Sequence, residues 1–229
     1  LGLQNTHSVN VHGLDDTPKD NRNLTTARDL SKIGRALLIH PKILEWSSIR
    51  YKPFRNGEFV LYTTNKLLGR FQGLDGLKTG YTQRAGSCLV ATAKRHEMRL
   101  VSVILGARGE KIRDQETRRL LSWGFNTFSR VPIVKNGELI GKVAVDWGFE
   151  PNVRVHTKDT IFAVLSPEQE KKIERQVEMP SEFPAPIEGG AELGKLKISL
   201  GDSLLAELSI VAEKSVERMG LWDKLMTYF

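Results

Sequence analysis

The sequence predicts an α+β fold: an antiparallel sheet covered by helices, then a small all-β domain, then a C-terminal amphipathic helix. Three observations predict it. Segments 75–82, 87–95 and 98–106 follow one another as apolar, β-rich runs joined by short polar connectors. Helical periodicity flanks them on both sides, before Pro41 and after Gly109. Past Arg130 the pattern changes to many short β-like runs set between prolines and glycines. The expected boundaries are 1–131, 132–211 and 212–229.

Composition narrows the function classes. The 229 residues suffice for one large or two modest domains, and 40% apolar content supports a buried core. A net charge of +7 suits nucleic acid, an anionic membrane surface or an anionic polymer. There is no zinc-ligand spacing, no aromatic RNA-binding signature and no long Lys/Arg run, so nucleic acid is not expected as a partner. The single cysteine, Cys88, excludes an intrachain disulfide and lies in an apolar run, which reads as a core thiol. No run of 18 apolar residues is present, so no membrane-spanning helix is expected, and no signal peptide is visible. The opening Leu1-Gly2-Leu3-Gln4-Asn5-Thr6 has no Met and reads as the middle of a domain. A C-terminal fragment is therefore expected.

Taken in order, residues 1–24 are loop-rich, and His7 and His12 read as polar loop residues. Thr26 with Asp29 fits a helix N-cap, and Leu30, Ile33, Leu37 and Leu38 form one apolar face that must end before Pro41. Asn56-Gly57 predicts a hairpin within Arg50 to Tyr62. Lys94-Arg95-His96-Glu97 is a connector of hairpin length between two strands. The near-continuous apolar character of these strands predicts cover on both faces. A helix follows from about Glu110 to Phe128, with Arg113, Arg118 and Arg119 beside its apolar stripe. Of these, Arg113 is the one placed to turn toward the strand edge. Asn136-Gly137 predicts a second hairpin. Residues 213–229 read as a helix with Leu221, Trp222, Leu225, Met226 and Phe229 on one face. Such a face lies in a membrane interface or packs on protein.

The chemistry concentrates at Leu74 to Tyr81. Gly76 and Gly80 bracket Leu77-Lys78-Thr79, and a glycine in a strand often marks a close approach by a ligand or a backbone. Lys78 offers a point charge for an anion, and Thr79 a donor and an acceptor. The combination suits a substrate with a carboxylate, laid along the strand edge.

These residues sit in a longer pattern: Leu1-Gly2-Leu3-x-Asn5-Thr6, Val11-His12-Gly13-Leu14-Asp15, Thr25-Thr26-Ala27-Arg28-Asp29-Leu30 and Asp75-Gly76-Leu77-Lys78-Thr79-Gly80-Tyr81-Thr82. It continues through Arg99 to Ala107 and Leu120 to Phe125. Over about residues 1–130 the chain resembles the serine D-alanyl-D-alanine carboxypeptidases, the low-molecular-mass penicillin-binding proteins of bacteria. The resemblance implies part of a transpeptidase/β-lactamase-like domain. It implies three motifs, Ser-x-x-Lys, Ser-x-Asn and Lys-Thr-Gly. The serine attacks the carbonyl between two D-alanines of the peptidoglycan stem peptide, D-alanine leaves, and water releases the shortened peptide. β-Lactams inhibit by acylating that serine. Lys78, Thr79 and Gly80 match the third motif. Lys78 and Thr79 are then implied to hold the substrate strand and its carboxylate, Arg113 to add a second cation, and Thr82 or a neighbour to supply a backbone oxyanion donor. Neither a metal nor another cofactor is implied. The layout also implies a place in the periplasm or cell envelope, with 213–229 on the outer face of the cytoplasmic membrane.

The chain departs from the pattern in two of the three motifs. No Ser-x-x-Lys occurs in the 229 residues. Ser8-Val9-Asn10 stands after the Leu-Gly-Leu-x-Asn-Thr segment, where the family has its second motif before it, and reads as coincidence. The nucleophile and its lysine are expected upstream of Leu1. Two alternatives stay open: a non-catalytic relative that binds peptidoglycan, and a serine β-lactamase.

Overall fold

In the computed structural model, which describes residues 1–15 and 22–226, Thr26 caps the first helix as predicted. Its Oγ1 accepts the Asp29 amide at 3.1 Å, and helix α1 runs over Ala27–Leu37. Pro41, which ends the preceding pattern, also opens a second helix, α2 (Pro41–Ser47), because proline suits a first helical turn. Strands β1 (Tyr51–Phe54) and β2 (Phe59–Tyr62) form the expected hairpin, with Asn56 and Gly57 at positive φ in its loop. The chain divides into two units, Leu1–Thr127 and Phe128–Phe229.

The centre of the first unit is an antiparallel sheet of β3 (Leu74–Thr82), β4 (Gly86–Arg95) and β5 (Met98–Ala107), in that order, followed by α3 (Glu110–Thr127). The β4–β5 turn is tighter than its four-residue connector implied. Arg95 pairs with Met98, so only His96 and Glu97 turn, at φ 43° and 46°. Helices cover both faces. Leu89, Ala91 and Ala93 of β4 meet Leu121 of α3, together with Leu67, Leu68, Phe71 and Leu74. Full burial of leucines such as Leu67, Leu89 and Leu121 contributes about 1.5–3 kcal/mol each. On the other face α1 comes so close that a methyl group added at Gly34 would stand 3.2 Å from Cγ1 of both Val90 and Val101. The strands are therefore apolar on both sides, which explains why their sequences do not alternate.

The second unit is β-rich. Its strands are β6 (Ser129–Val134), β7 (Leu139–Asp146), β8 (Asn152–Thr157) and β9 (Ile161–Leu165), then, after the short helix α4 (Pro167–Glu170), β10 (Ile173–Glu178), β11 (Glu182–Pro184), β12 (Glu192–Leu200) and β13 (Ser203–Ala212). Six of them form one sheet in the order β10-β12-β13-β8-β7-β11, while β6 and β9 pair separately. Val143, Val153, Val155, Ile198 and Ile210 lie in the core.

Two expectations are corrected here. Asn136-Gly137 does not close a hairpin, because β6 pairs with β9 and β7 with β8. It is a turn between two sheets, and Gly137 donates its N–H to Thr157 O. The helix expected over 213–229 is described only as α5 (Leu221–Met226), and residues 227–229, with Phe229, lie outside the described residues. Residues before it run extended. Val216 is 2% exposed within the core and exchanges N–H···O bonds with Ile187 at 2.8 and 2.9 Å. Phe149 N–H bonds Glu217 O and Met219 N–H bonds Trp147 O. Backbone groups satisfied by neighbouring segments are not free to form helical bonds, so tertiary pairing overrides the local amphipathic pattern.

Candidate active site

Strand β3 lies at the edge of its sheet, and its position is fixed from below. The pairing with β4 slips by one residue at Asp75, a bulge. The Asp75 carboxylate takes a two-pronged ion pair from Arg99, both bonds 2.8 Å, and Arg99 Nη1 also donates to Thr92 Oγ1 at 2.9 Å. Ser47 Oγ donates to Asp75 O at 3.0 Å. The bulge is thereby held on two sides, and it sets the register of the residues that follow.

Past the bulge the ladder is regular, from Leu77 opposite Ala91 to Thr82 opposite Gly86. Lys94 donates its N–H to Gly73 O at 2.9 Å, so Lys94 faces β3, and alternate residues Thr92, Val90, Cys88 and Gly86 face it too. Their partners Lys78, Gly80 and Thr82 turn their backbone groups inward. The N–H and C=O groups of Leu77, Thr79 and Tyr81 are left on the free edge. Lys78 follows this geometry: its Nζ donates to Thr79 O.

Side chains complete the edge. Thr79 is half-buried and Lys78 and Gly80 are exposed. The Thr79 hydroxyl lies 2.6 Å from the Thr64 hydroxyl. Arg113 is 2% exposed, with Nε and Nη2 on Asp114 Oδ1 at 2.9 and 2.8 Å. Its Nη2 reaches Thr64 O at 3.5 Å, so Arg113 stands one residue behind Thr79. Asn65, also buried, directs Nδ2 to Gly76 O at 3.5 Å and accepts Leu67 N–H on Oδ1. Nearby, the Lys66 ammonium bonds Glu110 at 2.6 Å and holds that carboxyl below its usual range. A cleft of about 400 Å³ opens beside this edge, lined among others by Trp46, Tyr51, Tyr62, Thr64 and Thr79.

Of the residues singled out from sequence, the fold places Lys78, Thr79 and Gly80 together on the edge and Arg113 behind it. Thr82 is placed differently. Its hydroxyl accepts the Ala85 amide at 2.9 Å within the β3–β4 turn, and its own N–H faces the ladder. The outward amide next to Gly80 belongs to Tyr81. Ser8 donates to Asn10 O inside its own loop. Cys88 is half-buried opposite Gly80. Sequence reasoning passed over Thr64, Asn65 and Tyr81. Asn65 and the Lys66-Leu67-Leu68 run after it do border the site, but nothing local marks Thr64, since its partner lies 15 residues away.

Comparison with known proteins finds similarity along both units of the chain. Residues 1–109 match the family described as D-alanyl-D-alanine carboxypeptidase, and residues 128–218 match the penicillin-binding protein 5 C-terminal domain. The chain is 31% identical over 235 residues to D-alanyl-D-alanine carboxypeptidase DacC of Escherichia coli, covering 100% of this chain and 58% of that protein. It superposes on penicillin binding protein 5 of Haemophilus influenzae with a TM-score of 0.63 at 28% identity, covering 95% of this chain and 62% of that one. It also matches penicillin-binding protein D2 of Listeria monocytogenes in its ampicillin-bound form, with a TM-score of 0.50 at 36% identity over 54% of this chain and 50% of that one. The chain spans a little under three fifths of the length of the curated relatives it matches first. The edge strand with its Lys78-Thr79-Gly80, the helices on both faces of its sheet and the β-rich unit that follows all fall within these matches, and by them the chain belongs to the D-alanyl-D-alanine carboxypeptidase family of low-molecular-mass penicillin-binding proteins.

Proposed function

We propose that this chain forms the substrate-holding side of a serine D-alanyl-D-alanine carboxypeptidase that trims the stem peptide of peptidoglycan. The observation that carries the reading is the free edge of β3. It offers Lys78, the Thr79 hydroxyl, and the outward backbone groups of Thr79 and Tyr81 on one line. A peptide can add to such an edge as an extra strand. Its terminal carboxylate then rests on Lys78 Nζ and Thr79 Oγ1, with Arg113 supplying positive charge from behind Thr64. Gly80, without a side chain, lets the peptide backbone lie close. The Tyr81 N–H points to where the scissile carbonyl oxygen gathers charge, as one of the two donors that an oxyanion needs.

The reaction itself needs a serine and a base. The serine oxygen adds to the carbonyl between the two D-alanines and its proton passes to the base. The C–N bond breaks, D-alanine leaves with that proton, and water then hydrolyses the ester. These 229 residues hold no Ser-x-x-Lys, so the activity is assigned to a longer protein in which that pair precedes Leu1. β-Lactams acylate the same serine. The match of residues 128–218 to a penicillin-binding protein 5 C-terminal domain favours this reading over a serine β-lactamase. The protein works at the bacterial cell envelope. Leu221 and Trp222, 73% and 82% exposed in α5, favour contact of the C-terminal segment with the membrane surface.

A fluorescent penicillin tests the assignment. The protein extended upstream to its serine is expected to be labelled covalently. Thr79→Val should slow labelling about 10–100-fold, the worth of a hydrogen bond to a charged group. An extended protein that stays unlabelled overturns the enzyme reading and leaves a non-catalytic peptidoglycan binder.

A further inference from the structure

The pair of hydroxyls at the strand edge contains a directional constraint. Thr64 Oγ1 and Thr79 Oγ1 are 2.6 Å apart, and either can donate. Each threonine has one hydroxyl proton, and a carboxylate only accepts. If Thr79 gives its proton to Thr64, it has none for a substrate carboxylate. The one arrangement that satisfies all three groups has Thr64 donating to Thr79, and Thr79 donating to the carboxylate.

Thr64 is well held for that task. Its carbonyl faces Nη2 of the buried Arg113, whose other contacts are to Asp114. The next residue, Asn65, is 5% exposed and is tied to Gly76 of β3 and to Leu67. Asn65 N–H also bonds Thr63 Oγ1 at 3.1 Å. The segment is thus pinned on both sides of Thr64, while its own hydroxyl has Thr79 as its side-chain partner.

We propose that Thr64 is a positioning residue that aims the Thr79 proton outward, and that it thereby favours substrates ending in a free carboxylate. The inference rests on the strand-edge reading given above. The bond is made alike in the bound substrate and in the transition state, so its loss raises KM and leaves kcat nearly unchanged.

The test uses the protein extended to its serine, and two peptides that end in D-Ala-D-Ala, one with a free carboxylate and one with a carboxamide. Thr64→Val keeps the shape and removes the hydroxyl; Thr64→Ser keeps the hydroxyl. On the free acid, Thr64→Val is expected to lose about fivefold to tenfold in kcat/KM, mostly in KM, the range of one neutral hydrogen bond. Thr64→Ser should stay within about twofold of the parent. On the carboxamide, whose NH2 can donate to Thr79 so that the outward proton is not required, Thr64→Val should lose less than about twofold, and Thr64→Val combined with Thr79→Val should be no worse than Thr79→Val alone. An equal loss on both peptides, or losses that multiply in the double variant, would overturn the proposal and leave Thr64 a packing residue. If Thr79→Val itself behaves as the parent does, the strand-edge reading falls, and Thr64 with it.

Discussion

Asp29 shows what one buried carboxylate does in this chain. It is 2% exposed at the start of α1, and it accepts Asn5 N–H and Thr6 Oγ1–H, both at 2.9 Å. The Asn5 amide is the main reason its pKa falls below the ordinary value, with Thr6, Lys32 and Arg28 adding to the effect against the cost of burial. Because the folded pKa lies below the unfolded value of about 3.9, the native state binds fewer protons in the acid range. The stability from Asp29 is complete above the unfolded pKa and is lost as pH falls through the folded one. Asp29→Asn should therefore flatten the acid limb. Melting temperature followed from pH 6 to pH 3 is expected to drop less steeply in the variant, with the two curves converging at low pH. Parallel curves would rule this role out. Arg113 makes the complementary point. A guanidinium this buried needs a partner, and Asp114 with the Thr64 carbonyl provides it, which is why the side chain turned inward from a helix full of charges.

At the scale of elements, the β4–β5 hairpin is where local chemistry and the fold disagree. Its turn needs two residues at positive φ, a demand usually met by Asn-Gly, yet here His96 and Glu97 supply them. Left-handed backbone costs a non-glycine residue roughly 1–2 kcal/mol. The Glu97 side chain offsets little of this, since its pair with Lys94 is exposed. Glu97→Gly is expected to stabilise the protein by about 0.5–1 kcal/mol, once the entropy of a glycine in the unfolded chain is subtracted. A chemical denaturation midpoint that moves down instead would show that Glu97 contributes more than its exposed contact. Strand β3 is the opposite case. Its bulge at Asp75 is secured by Arg99, Thr92 and Ser47, and the substrate-facing register depends on that anchorage.

For the whole molecule, the C-terminal segment divides at about Gly220. Before it, Val216 is part of the β unit's core. After it, α5 presents Leu221 and Trp222 to solvent, while Lys224 pairs with Asp146 and lies 3.9 Å from the Trp147 ring. Two truncations should therefore behave differently. Removing 220–229 is expected to release the protein from anionic lipid vesicles in sedimentation, with little change in melting temperature. Removing 213–229 should lower the melting temperature as well, because it opens the core at Val216. Undiminished sedimentation after the shorter deletion would argue that α5 packs on protein. Among the described residues no helix is long and apolar enough to cross a membrane.

What the sequence by itself determined is local. Thr26 and Asp29 announced α1, Asn56-Gly57 announced a hairpin, and three apolar runs announced a sheet buried on both faces. Ser166 and Gln169 around Pro167 make an equally local capping box at the start of α4. Lys78-Thr79-Gly80 was recognisable because its chemistry lies in consecutive residues, and the ordered motifs around it pointed to the family. Only the tertiary structure decided which backbone groups of β3 face outward, because strand parity is set by the pairing of Lys94 with Gly73 across the sheet. It gave the outward amide to Tyr81, the neighbour of Thr82, brought Thr64 to Thr79, and drew 213–219 out of a helix onto neighbouring segments. The physical reason is common to all three. A hydrogen bond between residues close in sequence leaves a pattern in the sequence, whereas one closed by distant strands depends on partners that no local pattern names.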